Sequence, residues 1–132
     1  MPDSPRHDLS LRVLLVDDHS LFLEGLRNLL VSEGIKVVGL AKDGLEALAQ
    51  ARRLRPDVIL MDIQMPGLDG LEAIRRVRTE AGLAKTPIIA LTALAMPGDR
   101  ERCLEAGAND YLCKPVGLRN LLSAIEAQLA QA

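Results

Sequence analysis

The stretch VILMDIQMPGLDG, residues 58–70, decides the architecture. Val58, Ile59, Leu60 and Met61 form an apolar run with no polar alternation, the habit of a strand covered on both faces in a parallel sheet flanked by helices. The run ends abruptly in Asp62, and a turn-rich loop follows. In open α/β sheets, ligands and chemistry collect beyond the carboxyl ends of the strands, where loops aim side chains without disturbing the core. Asp62 is therefore the focal residue.

The same pattern recurs upstream. LRVLLV, residues 11–16, is a β-rich run that delivers Asp17 and Asp18 at its carboxyl end. Ser20 is expected to cap a helix with Phe22, Leu26, Leu29 and Leu30 at helical spacing, ended by Gly34 in a left-handed turn. KVVGLA, residues 36–41, is the next strand. Asp43 opens a helix with Glu46 three residues on, an Asp version of the capping box, with Leu45, Leu48 and Ala49 facing inward. Arg55 and Pro56 stop it, since the residue before proline is pushed out of the helical region.

Downstream of the central strand, Asp69 or Gly70 begins a helix through Val77, with Leu71, Ile74 and Val77 inward and an exit loop at 82–85. PIIAL, residues 87–91, is a fourth strand that ends at Thr92. Pro97 suits the first position of a mostly charged helix reaching Ala106, the least well anchored of the set, with Cys103 and Leu104 among its few apolar residues. Gly107 closes it, 110–113 is a short fifth strand, and Lys114 stands before Pro115. A last helix over 118–128 carries Leu118, Leu121, Leu122, Ile125 and Leu129 on one stripe. Five strands alternating with five helices demand right-handed crossovers and a parallel sheet with helices on both faces.

A chain of 132 residues is long enough to bury a core as one domain without disulfides or a structural metal. With 48% hydrophobic and 26% charged residues, the composition is that of a soluble globular domain, not a disordered or membrane chain. The longest apolar runs are too short to span a bilayer. Residues 1–10, MPDSPRHDLS, lack the apolar core of a signal peptide, so a short flexible tail and a cytoplasmic address are expected, with the folded domain over 11–132. Cys103 and Cys113 have neither redox-motif nor zinc-ligand spacing and are expected as reduced, mostly buried thiols. A net charge of −2 argues against nucleic-acid binding by this chain. The basic clusters Arg52, Arg53, Arg55 and Arg75, Arg76, Arg78 are read as solvated faces near helix carboxyl ends, where cations suit the dipole.

Each polar residue at a strand end has a plain explanation alone. Asp17 and Asp18 can cap a helix, Asp62 can steady a turn, Thr92 can satisfy a backbone group and Lys114 can be solvated. Together they put three carboxylates, a hydroxyl and an ammonium at the carboxyl ends of strands one, three, four and five. Carboxylates about 4 Å apart repel by roughly 1 to 4 kcal/mol per pair, so such a site needs a counterion. Oxygen donors without Cys or a His pair suit Mg²⁺ before Zn²⁺. A carboxylate beside that ion can attack phosphorus, with Lys114 and Thr92 holding the remaining oxygens.

At these residues the chain resembles the receiver domain of two-component response regulators. The carrying motifs are VDD at 16–18, MDIQMPGLDG at 61–70, LTA at 91–93 and YLCKP at 111–115, and the likeness extends over about 11–129. The resemblance implies a flavodoxin-like, doubly wound (βα)5 fold whose five-stranded parallel sheet has the order 2-1-3-4-5. It implies that Asp62 accepts a phosphoryl group from the phosphohistidine of a histidine kinase or histidine phosphotransfer protein. Asp18, Asp62 and the backbone carbonyl of Gln64 would bind Mg²⁺, for which Mn²⁺ can substitute, with Asp17 assisting through water. Thr92 would be the switch hydroxyl, Tyr111 the switch aromatic, and Lys114 the phosphate contact preceding a cis Pro115.

Phosphorylation would draw Thr92 inward and vacate space for Tyr111, changing the surface of the fourth helix, fifth strand and fifth helix. Ala93 leaves room for the phosphoryl group, while Gln64 and Leu94 sit at variable positions that tune its lifetime. By resemblance, a phosphorylation-linked homodimer would use the fourth and fifth helices. The protein would catalyse its own aspartyl phosphorylation and dephosphorylation without being a conventional enzyme.

Rival readings fit less well. An aspartyl-phosphate phosphohydrolase would carry its nucleophile in a DxD pattern after the first strand, whereas here the acidic pair is adjacent and the candidate nucleophile is on strand three. A flavodoxin-like cofactor binder would have a Ser-, Thr- and Gly-rich loop where this chain has Asp17, Asp18 and His19. No GxGxxG is present for a dinucleotide. A phosphorylation-independent docking module remains the main alternative, opposed by the intact acidic set. Neither His7 in the tail nor His19 at a helix start is placed like a phosphorylatable histidine. The first half resembles receivers that precede a DNA-binding output, and the second resembles those attached to hybrid histidine kinases. A stand-alone relay protein and a domain of a longer chain both fit.

Overall fold

A computed structural model describes residues 11–65, 67, 69–93 and 96–130; the tail at 1–10 with His7, and Leu94, lie outside the described residues. Ten elements alternate: β1 (Arg12–Val16), α1 (Ser20–Ser32), β2 (Lys36–Ala41), α2 (Gly44–Leu54), β3 (Val58–Asp62), α3 (Gly70–Thr79), β4 (Ile88–Thr92), α4 (Asp99–Ala106), β5 (Asp110–Cys113) and α5 (Leu118–Ala130). Every strand pair is parallel and the sheet order is β2-β1-β3-β4-β5, the flavodoxin-like (βα)5 arrangement. The order reverses between β1 and β3, so a crevice opens above their carboxyl ends, where Asp17, Asp18 and Asp62 emerge.

Residues of β3 are buried from end to end and alternate between two cores. Ile59 and Met61 join Leu14, Val16, Ile88 and Ala90 under α2, α3 and α4, against Leu48, Ile74, Val77 and Cys103. Val58 and Leu60 join Val13, Leu15, Ile89 and Leu91 under α1 and α5, against Leu23, Leu26, Leu30, Leu121 and Ile125. A fully buried aliphatic side chain contributes roughly 1.5–3 kcal/mol, so a one-residue slip of a central strand would exchange both cores at once and is strongly opposed.

Several local expectations shift. His19, not Ser20, takes the N-cap of α1, because Asp17 Oδ1 already accepts from the His19 backbone N–H at 2.9 Å. The inward face of α1 uses Leu23, Leu26 and Leu30, with Phe22 half-buried and Leu29 exposed. On α2 the buried stripe is Ala47, Leu48 and Ala51, so Leu45 and Ala49 point outward. Small alanines carry that contact, and one residue of offset turns a helix face by about 100°. The capping box forms: Asp43 accepts from Glu46 N at 2.8 Å, and Glu46 Oε1 accepts from Lys42 N at 2.6 Å. Arg55 leaves the helix in the left-handed region at φ 49°.

Asp69 caps α3 by accepting from Glu72 N at 2.9 Å, and Gly70 is the first helical residue. Pro97 lies two residues ahead of α4 rather than inside it, since Gly98 at φ 87° breaks the run and Asp99 starts the helix. Only Asp99, Cys103 and Ala106 of α4 are buried, in keeping with its weak anchoring. The last helix runs on to Ala130. Both cysteines are free; Cys103 is buried, but Cys113 is exposed, because it ends an edge strand. No helix among the described residues is long and apolar enough to cross a membrane.

The basic clusters are not uniform. Arg52 pairs with Glu80 at 2.7 Å, and Arg75 and Arg76 pair with Glu72 at 3.3 Å, as surface charges do. Arg78 instead turns inward and donates to the carbonyls of Gly107 (2.9 Å) and Thr86 (2.7 Å) and to Asn109 Oδ1 (2.7 Å). Asn109 Oδ1 also accepts from Ile88 N at 2.8 Å. This clasp ties the end of α3 to the start of β4 and the end of α4.

Candidate functional site

Strand register sets the site. Val16 pairs with Met61, Asp62 with Leu91, and Thr92 with Cys113, so the residues that follow these strands rise side by side at one edge. Asp17 continues β1, with its N–H donating to Ala41 O at 3.0 Å, and its carboxylate is buried. Lys114 is drawn in from the far side, where its backbone N–H donates to Thr92 O at 2.7 Å.

From there the Lys114 side chain crosses to the carboxylates. Its ammonium donates to Asp17 Oδ2, lies 3.7 Å from Asp62 Oδ2, and sits 4.4 Å from the centre of the Phe22 ring. The ring face stabilises a cation held away from water. Asp62 is 1% exposed; its Oδ1 accepts from Gln64 N at 3.0 Å, while Oδ2 has no hydrogen-bond partner among the described residues. Burial pushes the Asp62 carboxyl up to about 6; the Gln64 N–H and Lys114 oppose this, and Asp17 and Asp18 add to it. Asp18 Oδ1 is a second buried oxygen without a hydrogen-bond partner among the described residues.

Close approach fixes this geometry. A Cβ on Gly70 would lie 2.2 Å from Asp62 O and 2.6 Å from Ile63 Cα, so only glycine lets α3 start against the end of β3. Across the mouth, Gln64 Oε1 accepts from Ala93 N at 3.1 Å, linking the loops that follow β3 and β4. Thr92 is fully buried at the end of β4. Tyr111 is half-buried against the α2–α4 core, and its hydroxyl is pushed up to about 12 by burial and then by the Cys113 thiol beside it. The Lys114–Pro115 peptide is cis, as the resemblance implied.

Of the five polar residues expected together at the strand ends, Asp17, Asp18, Asp62 and Lys114 share one pocket, and Thr92 is buried at the end of β4. The Phe22 ring under the Lys114 ammonium, the bond from Ala93 N to the Gln64 side chain and the spacing demand at Gly70 depend on contacts between elements and have no local signal in the sequence. Sequence reasoning also gave His19 no place in the pocket. His19 Nδ1 is 2.9 Å from Asp17 Oδ1 and 3.2 Å from Asp18 Oδ1, and its adjacency to the acidic pair was the available signal.

Residues 13–126 match the family model described as the response regulator receiver domain. The chain belongs to that family. Among receiver-domain relatives, the polar-differentiation response regulator DivK of Brucella anthropi is 38% identical over 120 residues, covering 91% of this chain and 97% of that protein. The receiver domain of a Pseudomonas aeruginosa PAO1 sensor histidine kinase, described with a magnesium ion coordinated in its active site cleft, superposes with a TM-score of 0.83. It is 42% identical and covers 91% of this chain and 98% of that one. A two-component response regulator of the LuxR family from Aurantimonas sp. SI85-9A1 gives 0.84 at 37% identity, covering 91% and 85%.

The receiver pocket of this chain fits a divalent cation by its own chemistry. Carboxylate oxygens of Asp17, Asp18 and Asp62 and a nitrogen of His19 all lie within 4.8 Å of one another. Two of the oxygens are buried without a hydrogen bond, a cost of several kcal/mol for ionised groups that a bound cation offsets.

Proposed function

We propose that this receiver domain is the phosphoacceptor of a two-component relay, with Asp62 taking a phosphoryl group from the phosphohistidine of a histidine kinase or histidine phosphotransfer protein. The observation that carries this reading is the buried Asp62 Oδ2, without a hydrogen bond and 3.7 Å from the Lys114 ammonium at the mouth of the crevice. An Asp62 oxygen attacks phosphorus, the phosphorus–nitrogen bond breaks, and the donor imidazole leaves with the electron pair.

Asp18, Asp62 and the Gln64 carbonyl would hold Mg²⁺ or Mn²⁺, with Asp17 acting through water. Bound there, the ion neutralises carboxylate and phosphoryl oxygens and so lowers the cost of bringing two anions together. Lys114 moves from Asp17 toward the phosphoryl group, and Thr92 supplies a hydroxyl to another oxygen. The Ala93 N–H, held by Gln64 in this structure, is a further donor once Gln64 lets go.

The dianionic group then re-sorts acceptors around Thr92 and frees Tyr111 to rotate, altering the α4–β5–α5 surface read by a partner or a second copy. The weak anchoring of α4 supports this direction of change. A cytoplasmic location accords with such partners. Treatment with phosphodonor, then reduction of the acyl phosphate with borohydride and peptide mapping, tests the assignment. Homoserine at position 62 is expected; homoserine elsewhere, or none, contradicts it and favours a docking module.

A further inference from the structure

We infer that His19 is a metal-specificity residue. With Asp17, Asp18 and Asp62 it makes the receiver pocket a mixed nitrogen–oxygen site that prefers a first-row transition dication of the Ni²⁺ or Zn²⁺ kind over Mg²⁺. The inference rests on the pocket being a cation site, as proposed above, and goes beyond it in assigning a nitrogen ligand.

The His19 ring is two-thirds exposed, yet its Nδ1 turns toward the carboxylates, hydrogen-bonded to Asp17 Oδ1 at 2.9 Å and 3.2 Å from Asp18 Oδ1; with the ring proton on Nε2 the same nitrogen presents its lone pair to a cation. Its backbone is fixed at both ends. The N–H donates to Asp17 Oδ1, and the carbonyl accepts from Leu23 N at 3.0 Å as the first turn of α1. The ring is therefore carried at the pocket rim by the same turn that presents the acidic pair.

Donors on opposite sides of one ion, with bonds of ~2.1 Å, stand ~4.2 Å apart. The His19 nitrogen and the carboxylate oxygens of Asp17, Asp18 and Asp62, all within 4.8 Å of one another, are close enough to serve a single ion, Asp17 through water. An independent sign of a missing ligand lies at the floor, where the buried Asp62 Oδ2 lacks a hydrogen bond. Carboxylates alone suit Mg²⁺, whereas an imidazole nitrogen adds affinity along the transition series and little for magnesium.

The test uses the untagged full chain with Asn variants at His19, His7 and Asp18. Calorimetric titrations with NiCl₂, ZnCl₂ and MgCl₂ are compared, and the Mn²⁺-loaded protein is examined by pulsed paramagnetic resonance for ¹⁴N coupling. Expected are binding of Ni²⁺ at least tenfold tighter than Mg²⁺ and an imidazole ¹⁴N signal. His19→Asn removes both while changing Mg²⁺ affinity less than twofold, and His7→Asn changes neither. A preference for Ni²⁺ that survives His19→Asn, or no ¹⁴N signal, overturns the role of His19 and leaves the carboxylate site standing. Binding of every ion unaffected by Asp18→Asn overturns the cation pocket itself.

Discussion

The Lys114 ammonium lies 3.7 Å from Asp62 Oδ2, but its hydrogen bond goes to Asp17 Oδ2. The cation that reaches the buried acidic floor is thus committed to one carboxylate and only near the other. Burial of Asp62 is only partly offset by the Gln64 N–H and Lys114, and its carboxyl rises to about 6. The pocket spends folding stability on a reactive carboxylate.

Asp62→Asn removes that cost. The folded carboxyl titrates at about 6, above its ordinary value, so the folded state holds the extra proton between the two values. The stability contributed by protonation is fully present below the unfolded-chain value of about 3.9 and is lost as pH rises through about 6. Without divalent ions, Asp62→Asn is expected to be more stable than the parent near pH 7.5, by on the order of 2–3 kcal/mol, and nearly equal near pH 4. Urea unfolding of both proteins across that range checks it; a variant less stable at neutral pH contradicts the clustered site.

Gly70→Ala tests how the site is held. Its Cβ would meet the Asp62 carbonyl at 2.2 Å, backbone against backbone, with no flexible side chain to yield. A loss of about 1–3 kcal/mol and a clear drop in phosphorylation rate are expected, read by thermal unfolding and phosphoryl incorporation. Wild-type values for both would mean that α3 does not set the position of Asp62.

Gln64→Ala frees the Ala93 N–H from its 3.1 Å bond to Gln64 Oε1. A hydrogen bond of about 1 kcal/mol corresponds to roughly fivefold faster amide exchange. Nuclear magnetic resonance should find that acceleration at Ala93 together with an altered phosphoryl lifetime. Unchanged exchange would show that the link across the mouth is not populated in solution.

Arg78→Ala is expected to cost about 2–3 kcal/mol, because it leaves the Gly107 and Thr86 carbonyls and Asn109 without their charged donor. Arg78→Lys should recover only part, since one ammonium cannot reproduce the planar fork. Chemical denaturation decides it, and a neutral Arg78→Ala would return this residue to the solvated surface.

Legibility in the sequence followed the physics of each signal. Strand positions were clear because β3 and its neighbours are buried on both faces and read as continuous apolar runs. Asp17, Asp18, Asp62, Thr92 and Lys114 were legible because each ends or follows such a run, and the parallel topology does the gathering. Helix faces were less so: the large apolar residues Leu29 and Leu45 lie outward while Ala47, Ala51 and Ala73 fill the contact, and alanine carries almost no pattern. Arg78 looked like its neighbours Arg75 and Arg76, since nothing local tells that Gly107 and Asn109, 29 and 31 residues on, arrive as acceptors. Long-range partners of this kind also fix the roles of Phe22 and Gln64.

Intact mass of the full chain after incubation with acetyl phosphate, with Mg²⁺ or with chelator, and beside Asp62→Ala, tests the central claim most directly. A gain of one phosphoryl group that requires the divalent ion and vanishes in Asp62→Ala is the predicted result. No gain under conditions that modify another receiver in parallel, or an equal gain in Asp62→Ala, would contradict it.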